Sequence, residues 1–335
     1  MDQEVALVTG ASGFIGRQLV SRLIASGVRV RAAARQAHPT GEGAAEWVCA
    51  DVRDERAIRA AAAGVSMVFH LAARVHAIDS GPADAAAHWS VNLEGTRNVL
   101  NAAASGGASR VVFFSSVKAM GERTAALVDE SHPARPVSAY GQSKLAAEQL
   151  VRQMGDATGM HTVCLRLPMV WGPEATGNLT RMIAAIAAGR FPPIPEFGNR
   201  RSLVHVRDVV QAAMLVALGD RAASRVYLVT DGGGYSTREM YALICQALGR
   251  AVPRWSTPQW GLRLLARVGD GIGPFVGRPG RIFDSAAFDK LVDSAWYDCA
   301  AIRRELGYVP SITLQTGLSE YIGWLKAHAL IPMAA

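Results

Sequence analysis

Tyr140 and Lys144 stand four residues apart in the run Tyr140-Gly141-Gln142-Ser143-Lys144. On a helix that spacing puts both side chains on one face, with the ammonium beside the phenol. A free phenol titrates near ~10, too high for proton transfer at neutral pH, and an adjacent cation favours the phenolate and lowers that value. Tyr140 is then placed to pass a proton to or from a carbonyl or hydroxyl oxygen. The pair follows an apolar, β-branched stretch that ends in Ser115-Ser116, where a serine hydroxyl can hold the same oxygen. A Tyr-x-x-x-Lys spacing also occurs in purely structural helices, so its weight comes from its place at the head of a helix after a strand.

A second group, Gly10, Gly13 and Gly16, has the spacing G-x-x-G-x-x-G after the apolar run Val5-Ala6-Leu7-Val8 and before a helix-like pattern reaching Ser26. Glycine suits a turn where backbone must bend tightly and approach a pyrophosphate, whose charge the first helical N–H groups then hold. The spacing departs from G-x-G-x-x-G, but the strand-turn-helix setting is the one a dinucleotide site requires. Such a cofactor together with Ser, Tyr and Lys points to hydride transfer.

These groups need a frame, and the chain supplies one in order. A second strand, Val28 to Ala34, completes a β-α-β unit. A short strand follows at Trp47 to Ala50, then Asp51-Val52 and an alanine-rich helix from Asp54. Next come a strand from Met67 to Leu71, a long helical pattern from Ala83 to Ala104, and a strand from Arg110 to Ser115. A proline-bearing loop (Ser131 to Val137), a helix (Tyr140 to Thr158) and a strand (Val163 to Leu167) complete the alternation, which predicts an α/β fold with a doubly wound parallel sheet. Beyond Leu167, proline and glycine punctuate short segments around a helix at Leu179 to Ala188. A smaller α/β substrate domain is therefore expected over 168–335, beside a dinucleotide domain over 1–167. The segment 203–230, with a helix from Asp208 and a strand at Val226 to Val229, is expected to return to the first sheet. Further amphipathic helices are predicted at Thr237 to Leu248 and Leu314 to Leu325.

Half of the 335 residues are apolar, enough for a large core, and no run is long enough to cross a membrane. The opening Met1-Asp2-Gln3-Glu4 lacks the features of a signal peptide, so a cytoplasmic protein is expected. Cys49, Cys164, Cys245 and Cys299 show no metal or redox spacing and read as buried thiols. His70, His76 and His205 lack metal-ligand spacing and read as structural. The net charge of +7 comes from scattered basic residues without aromatic interleaving, which argues against nucleic acid. The apolar stretch Pro258 to Val268, with Arg263 and Arg267, reads as packing on the second domain rather than touching a membrane surface.

Together, Gly10 to Gly16, Asp51-Val52, His70-Leu71-Ala72-Ala73, Val91 to Thr96, Phe114-Ser115-Ser116, Tyr140 to Lys144 and Leu165 to Pro173 make the chain resemble the extended short-chain dehydrogenases. The resemblance is in particular to the NAD-dependent epimerase/dehydratase branch, which modifies nucleotide sugars. The resemblance implies a Rossmann fold and catalysis by Ser116, Tyr140 and Lys144, Ser116 being chosen over Ser115 by its distance to Gly121. It implies cofactor contacts from Gly10, Ser12, Gly13, Phe14, Ile15 and Gly16, with Asp51 and Val52 flanking adenine. Leu71, Ala72, Ala73 and Pro168 would line the cofactor, and Lys144 would reach its ribose. Asn178-Leu179 and Arg201 match segments that grip uridine diphosphate, and a second phosphate-gripping residue usually follows, for which Arg281 and Lys290 are the two candidates. Arg74 and Lys118 match UDP-4-keto-sugar reductases of surface-polysaccharide pathways, where they would approach the sugar.

Hydride transfer at carbon 4 of a UDP-hexose, by 4-keto reduction or 4-epimerisation, is therefore expected, in a homodimer; the alternatives are a small-carbonyl reductase and a cofactor-sensing regulator. Where an acid would end the second strand and bind the ribose of NAD, this chain has Ala34 and then Arg35, with Arg31 on the same strand, which favours NADP.

Overall fold

The computed structural model describes residues 4–36, 45–75, 81–276 and 283–332. β1 (Val5–Thr9) leads into α1 (Phe14–Ala25), and β2 (Arg29–Ala34), β3 (Ala45–Cys49), β4 (Met67–His70), β5 (Arg110–Ser116) and β6 (His161–Leu167) follow. β7 (Met169–Trp171) pairs in parallel with β8 (Leu203–His205) as a separate two-stranded sheet, and β9 (Arg225–Leu228) rejoins the main one beside β6. The main sheet has the order β3-β2-β1-β4-β5-β6-β9, every pairing parallel. Its order reverses between β1 and β4, so the crevice for a dinucleotide opens at their carboxyl ends.

Strand periodicity explains how both faces are buried. Ala6 and Val8 of β1 and Val112 and Phe114 of β5 enter one core, while Leu7, Val111 and Phe113 enter the core on the opposite face. The first core is covered by α1 and by α7 (Val206–Leu218). The second is covered by α2 (Glu55–Ala62), α4 (Gly95–Gly106) and α5 (Ala139–Thr158). α3 (Pro82–His88) runs into α4 through a six-residue π turn, Trp89–Glu94, inside the stretch expected as one helix.

A third core lies around Trp171. It gathers α6 (Asn178–Ala187), α8 (Thr237–Ala247), α9 (Gln259–Val276), α10 (Ser285–Val292) and α12 (Leu314–Ala327); α11 (Ala300–Leu306) packs on β9 instead. β7, β8, α10 and α11 were not expected. Strands of three residues are too short to display a period of two, and helices of seven or eight residues display barely two turns.

Cys164, Cys245 and Cys299 are buried, whereas Cys49 is exposed because it ends the edge strand β3. Among the described residues no helix is long and apolar enough to cross a membrane. His76 and Arg281 lie outside the described residues.

Candidate active site

The glycine turn forms a cradle that side chains would close. Gly10 has φ +68°, and a Cβ there would stand 2.8 Å from the Ala72 amide nitrogen, so the ends of β1 and β4 touch only because it is glycine. A Cβ on Gly16 would fall 2.3 Å from the Gly10 carbonyl oxygen. Gly13 caps α1 without a side chain, and the first turn of that helix holds no acid. Backbone N–H groups and the helix dipole there suit a pyrophosphate, so these residues fit a dinucleotide. Ser12 and Gly13 are exposed at the turn, and Phe14 and Ile15 are half-buried beside it. Across the crevice, Leu71, Ala72 and Ala73 follow β4, and Pro168 follows β6, all half-buried. His70 donates or accepts at Thr9 Oγ1 (2.7 Å) and Thr96 Oγ1 (3.0 Å), and burial pushes its pKa down to about 3.

The edge of the crevice differs in part from expectation. Asp51 forms an ion pair with Arg53 at 2.7 Å, and that hydrogen bond holds its carboxyl below the ordinary value. The Val52 side chain is buried in the sheet's second core. Arg35 is exposed just past the end of β2. Arg31 is committed elsewhere, to Glu46 at 3.0 Å and to the carbonyl oxygens of Ala61 and Ala63, so it takes no part in the cofactor choice.

Ser116, Tyr140 and Lys144 come together where β5 meets α5. Gly141 permits this approach, since a Cβ would stand 2.4 Å from the Lys118 carbonyl oxygen. Ser138 caps α5 by accepting from the Gly141 amide at 3.1 Å and donates at 2.6 Å to Glu122. The Ser116 and Tyr140 side chains are hydrogen-bonded to each other. Ser115 faces the opposite way, its hydroxyl donating to Glu148 at 2.5 Å, and Glu148 forms a buried ion pair with Arg166 at 2.7 Å. Alternation along β5 thus points the two adjacent serine hydroxyls to opposite faces of the sheet.

Lys144 departs from the expected arrangement. Its ammonium donates to the Phe114 carbonyl oxygen at 2.7 Å and lies 4.2 Å from the centre of the Phe113 ring. Burial lowers its pKa to about 8, and the nearby Glu148 opposes that shift. The Tyr140 phenol is accordingly not lowered: burial raises it above 10, and the Ser116 hydrogen bond works in the other direction. Desolvation is the larger of the two effects on the phenol.

Asn92, in the π turn, is a positioning group that the motif contained without a stated role. Its side chain accepts from the Arg74 amide at 2.8 Å and donates to the Ser143 hydroxyl at 3.0 Å, tying the end of β4 to α5. Irregular turns of this type recur at functional sites.

The expected sugar contacts separate into two groups. Lys118 pairs with Glu122 at 2.6 Å, and Arg74 pairs with buried Asp84 at 2.5 Å, so both side chains already have acidic partners. Leu179 is buried in the third core, while Asn178 is exposed at the start of α6. Arg201 is half-buried between Tyr235 and Ala295, and its guanidinium donates to the Lys290 carbonyl oxygen. Among the described residues no carboxylate forms an ion pair with it, and burial lowers its pKa. His205 caps α7 by accepting from the Arg207 amide at 3.3 Å, and burial lowers its pKa to about 4. The Lys290 side chain itself is exposed.

The model of the family described as NAD dependent epimerase/dehydratase matches residues 6–229. The chain belongs to that family. It is thus an enzyme of the extended short-chain dehydrogenase class that works with a nicotinamide cofactor. The chain is 29% identical over 324 residues to a UDP-glucose 4-epimerase of Vibrio cholerae, covering 94% of this chain and 93% of that one. A 4-hydroxy-2-methyl-3-oxo-4-farnesyl-3,4-dihydroquinoline-1-oxide ketoreductase of Stigmatella aurantiaca is 31% identical over 321 residues, with 93% of each chain covered. Among solved structures, MoeE5 in complex with UDP-glucuronic acid and NAD superposes with a TM-score of 0.76 at 27% identity, over 96% of this chain and 99% of that one.

Proposed function

We propose that this enzyme moves hydride at carbon 4 of a UDP-hexose, either reducing a 4-keto sugar or epimerising the 4-hydroxyl, in the synthesis of surface polysaccharide sugars. The observation that carries the substrate class is Arg201, a half-buried guanidinium in no ion pair among the described residues, on which the nearby Asp293, itself paired with Arg123, only partly opposes the effect of burial. A guanidinium outside any ion pair keeps donors for an anion, and a pyrophosphate offers its planar fork a matching pair of oxygens. The UDP-sugar relatives support the same reading. Exposed Asn178 contributes a polar contact to the nucleotide.

In this reading Tyr140 passes a proton to or from the oxygen on carbon 4, while the Ser116 hydroxyl, already hydrogen-bonded to that phenol, holds the oxygen in line. The Lys144 ammonium, fixed on the Phe114 carbonyl, presents charge to the cofactor ribose. The cradle of Gly10, Gly13 and Gly16 would hold a nicotinamide dinucleotide, whose chemistry there would be to supply or accept hydride. Arg35, next to Ala34 at the position where an acid would select NAD, favours NADP. The domain division, with 1–167 and 203–230 holding the cofactor and most of 168–335 the sugar, belongs to this reading, as do a homodimer and a cytoplasmic location.

The 31% identical ketoreductase favours a second reading, reduction of a non-nucleotide ketone. Calorimetric titration of UDP separates the two. Arg201→Ala is expected to weaken UDP at least about tenfold, the loss of one charge-assisted hydrogen bond of ~1.5–3 kcal/mol, and to leave dinucleotide affinity unchanged. Wild-type protein that does not bind UDP decides for the second reading, and an Arg201→Ala protein that binds UDP as well as the wild type makes Arg201 a structural arginine.

A further inference from the structure

We propose that α9 and the segment before it form a docking surface for an anionic lipid bilayer. This goes beyond the catalytic reading and does not rest on it.

One face of α9 belongs to the third core, through Leu262 and Ala266, each 1% exposed. That much accords with the expected packing on the second domain. The face alongside is different: Trp260, Leu264, Val268 and Ile272, spaced by four, make one ridge, with Leu265 next to it, and all five are exposed. Trp260 is 71% exposed, and Trp255, in the segment leading to the helix, is 64% exposed. A contiguous apolar ridge on a surface helix marks an interaction site, whereas single exposed apolar residues do not.

The polar residues around the ridge indicate the occupant. Arg263 and Arg267 project from the edge of the ridge, Arg254 precedes it, and all three are exposed. None of the three is in an ion pair among the described residues, although Arg263 also lies over the Phe288 ring. From Arg250 to Val276 the sequence holds four arginines against one acid, Asp270, which is hydrogen-bonded to Ser285. An apolar ridge carrying tryptophan and edged by arginine matches a helix lying in the plane of a bilayer, with its cations at anionic headgroups. The helix does not cross the bilayer, because its opposite face is part of the protein core. A symmetric dimer through the same ridge would bring the arginines of each copy toward those of the other, with little acid to offset them.

The test is co-sedimentation of the full chain with vesicles of phosphatidylcholine alone and of phosphatidylcholine mixed with phosphatidylglycerol. The wild type is expected to pellet with the mixed vesicles at least ~10-fold more strongly than with phosphatidylcholine, and to be released by raised salt. Trp260→Ser/Leu264→Ser is expected to lose about tenfold or more of that binding and to keep the wild-type melting temperature, since both side chains point outward. Arg254→Glu/Arg267→Glu is expected to abolish the preference for phosphatidylglycerol. A wild-type chain that stays in the supernatant with both vesicles overturns the proposal, whatever the variants do. So does an analytical ultracentrifugation result in which the wild type is a dimer and Trp260→Ser/Leu264→Ser a monomer, which would make the ridge a subunit interface.

Discussion

Ser116 and Tyr140, from β5 and α5, are hydrogen-bonded side chain to side chain, while Ser115 turns its hydroxyl into the core at 2.5 Å from Glu148. The two serines are chemically identical and adjacent, so they make a controlled comparison. Ser116→Ala is expected to lower kcat by roughly tenfold to a hundredfold at unchanged stability, and Tyr140→Phe by about 10²–10⁴-fold with dinucleotide affinity retained. Ser115→Ala is expected to cost about 1–3 kcal/mol of stability, by leaving Glu148 short of a donor, with kcat nearly unchanged. Steady-state kinetics and urea unfolding on the same three proteins check this; a reversal of the two serines would remove Ser116 from the site.

Lys144 predicts opposite pH trends for activity and stability. Its ammonium titrates at about 8 when folded, against 10.5 for a free lysine. If the ammonium is required, the rate of ketone reduction falls as pH rises through about 8, because the folded protein loses that proton. Stability moves the other way: between the two values the unfolded chain binds more protons, so the Lys144 contribution to stability grows with pH. Subtracting the profile of Lys144→Met from that of the wild type isolates this contribution. A difference that shrinks from pH 8 to 10 would contradict the assigned environment.

The Glu148–Arg166 pair, with side chains 4% and 8% exposed, fixes the layer beneath the site. Glu148→Gln keeps the shape and removes the charge, leaving the Arg166 guanidinium buried and uncompensated. A loss of about 3–5 kcal/mol in chemical denaturation is expected. The double substitution Glu148→Gln/Arg166→Met is expected to recover part of it, which a simple packing defect would not.

Cofactor preference rests on Arg35 alone, since Arg31 is held by Glu46 and two carbonyl groups. One exposed guanidinium against a 2′-phosphate predicts NADPH binding about tenfold tighter than NADH, less at high salt. Arg35→Ala is expected to abolish the difference and Arg31→Ala to leave it intact. Equal affinities in the wild type would favour an enzyme that retains NAD.

What could be read from the sequence was local. Gly10, Gly13 and Gly16 announce their turn, and Tyr140 and Lys144 their shared helix face, because both depend on residues close in the chain. The ammonium's actual partner was not legible: Phe114 O lies thirty residues away and is reached only once β5 packs on α5. Lys118 with Glu122 and Arg74 with Asp84 are only four and ten residues apart, yet the motifs that singled out Lys118 and Arg74 carry no sign that these charges are already paired. Leu179 matched a nucleotide-contacting pair by type and position, yet its apolar side chain belongs to the third core. Asn92 carried a signal in its motif, but its bridge between β4 and α5 required the π turn.

The central claim, hydride transfer at carbon 4 of a UDP-hexose, is tested most directly with UDP-glucose or another UDP-hexose carrying deuterium at carbon 4. Mass spectrometry of the sugar and of the cofactor after incubation with purified enzyme follows the label. The account predicts deuterium on the nicotinamide or on the epimerised carbon 4, with a primary isotope effect, and loss of both in Tyr140→Phe. Deuterium that stays on carbon 4 of the unchanged sugar across the UDP-hexoses, in an enzyme that oxidises reduced cofactor with a non-nucleotide ketone, would contradict it.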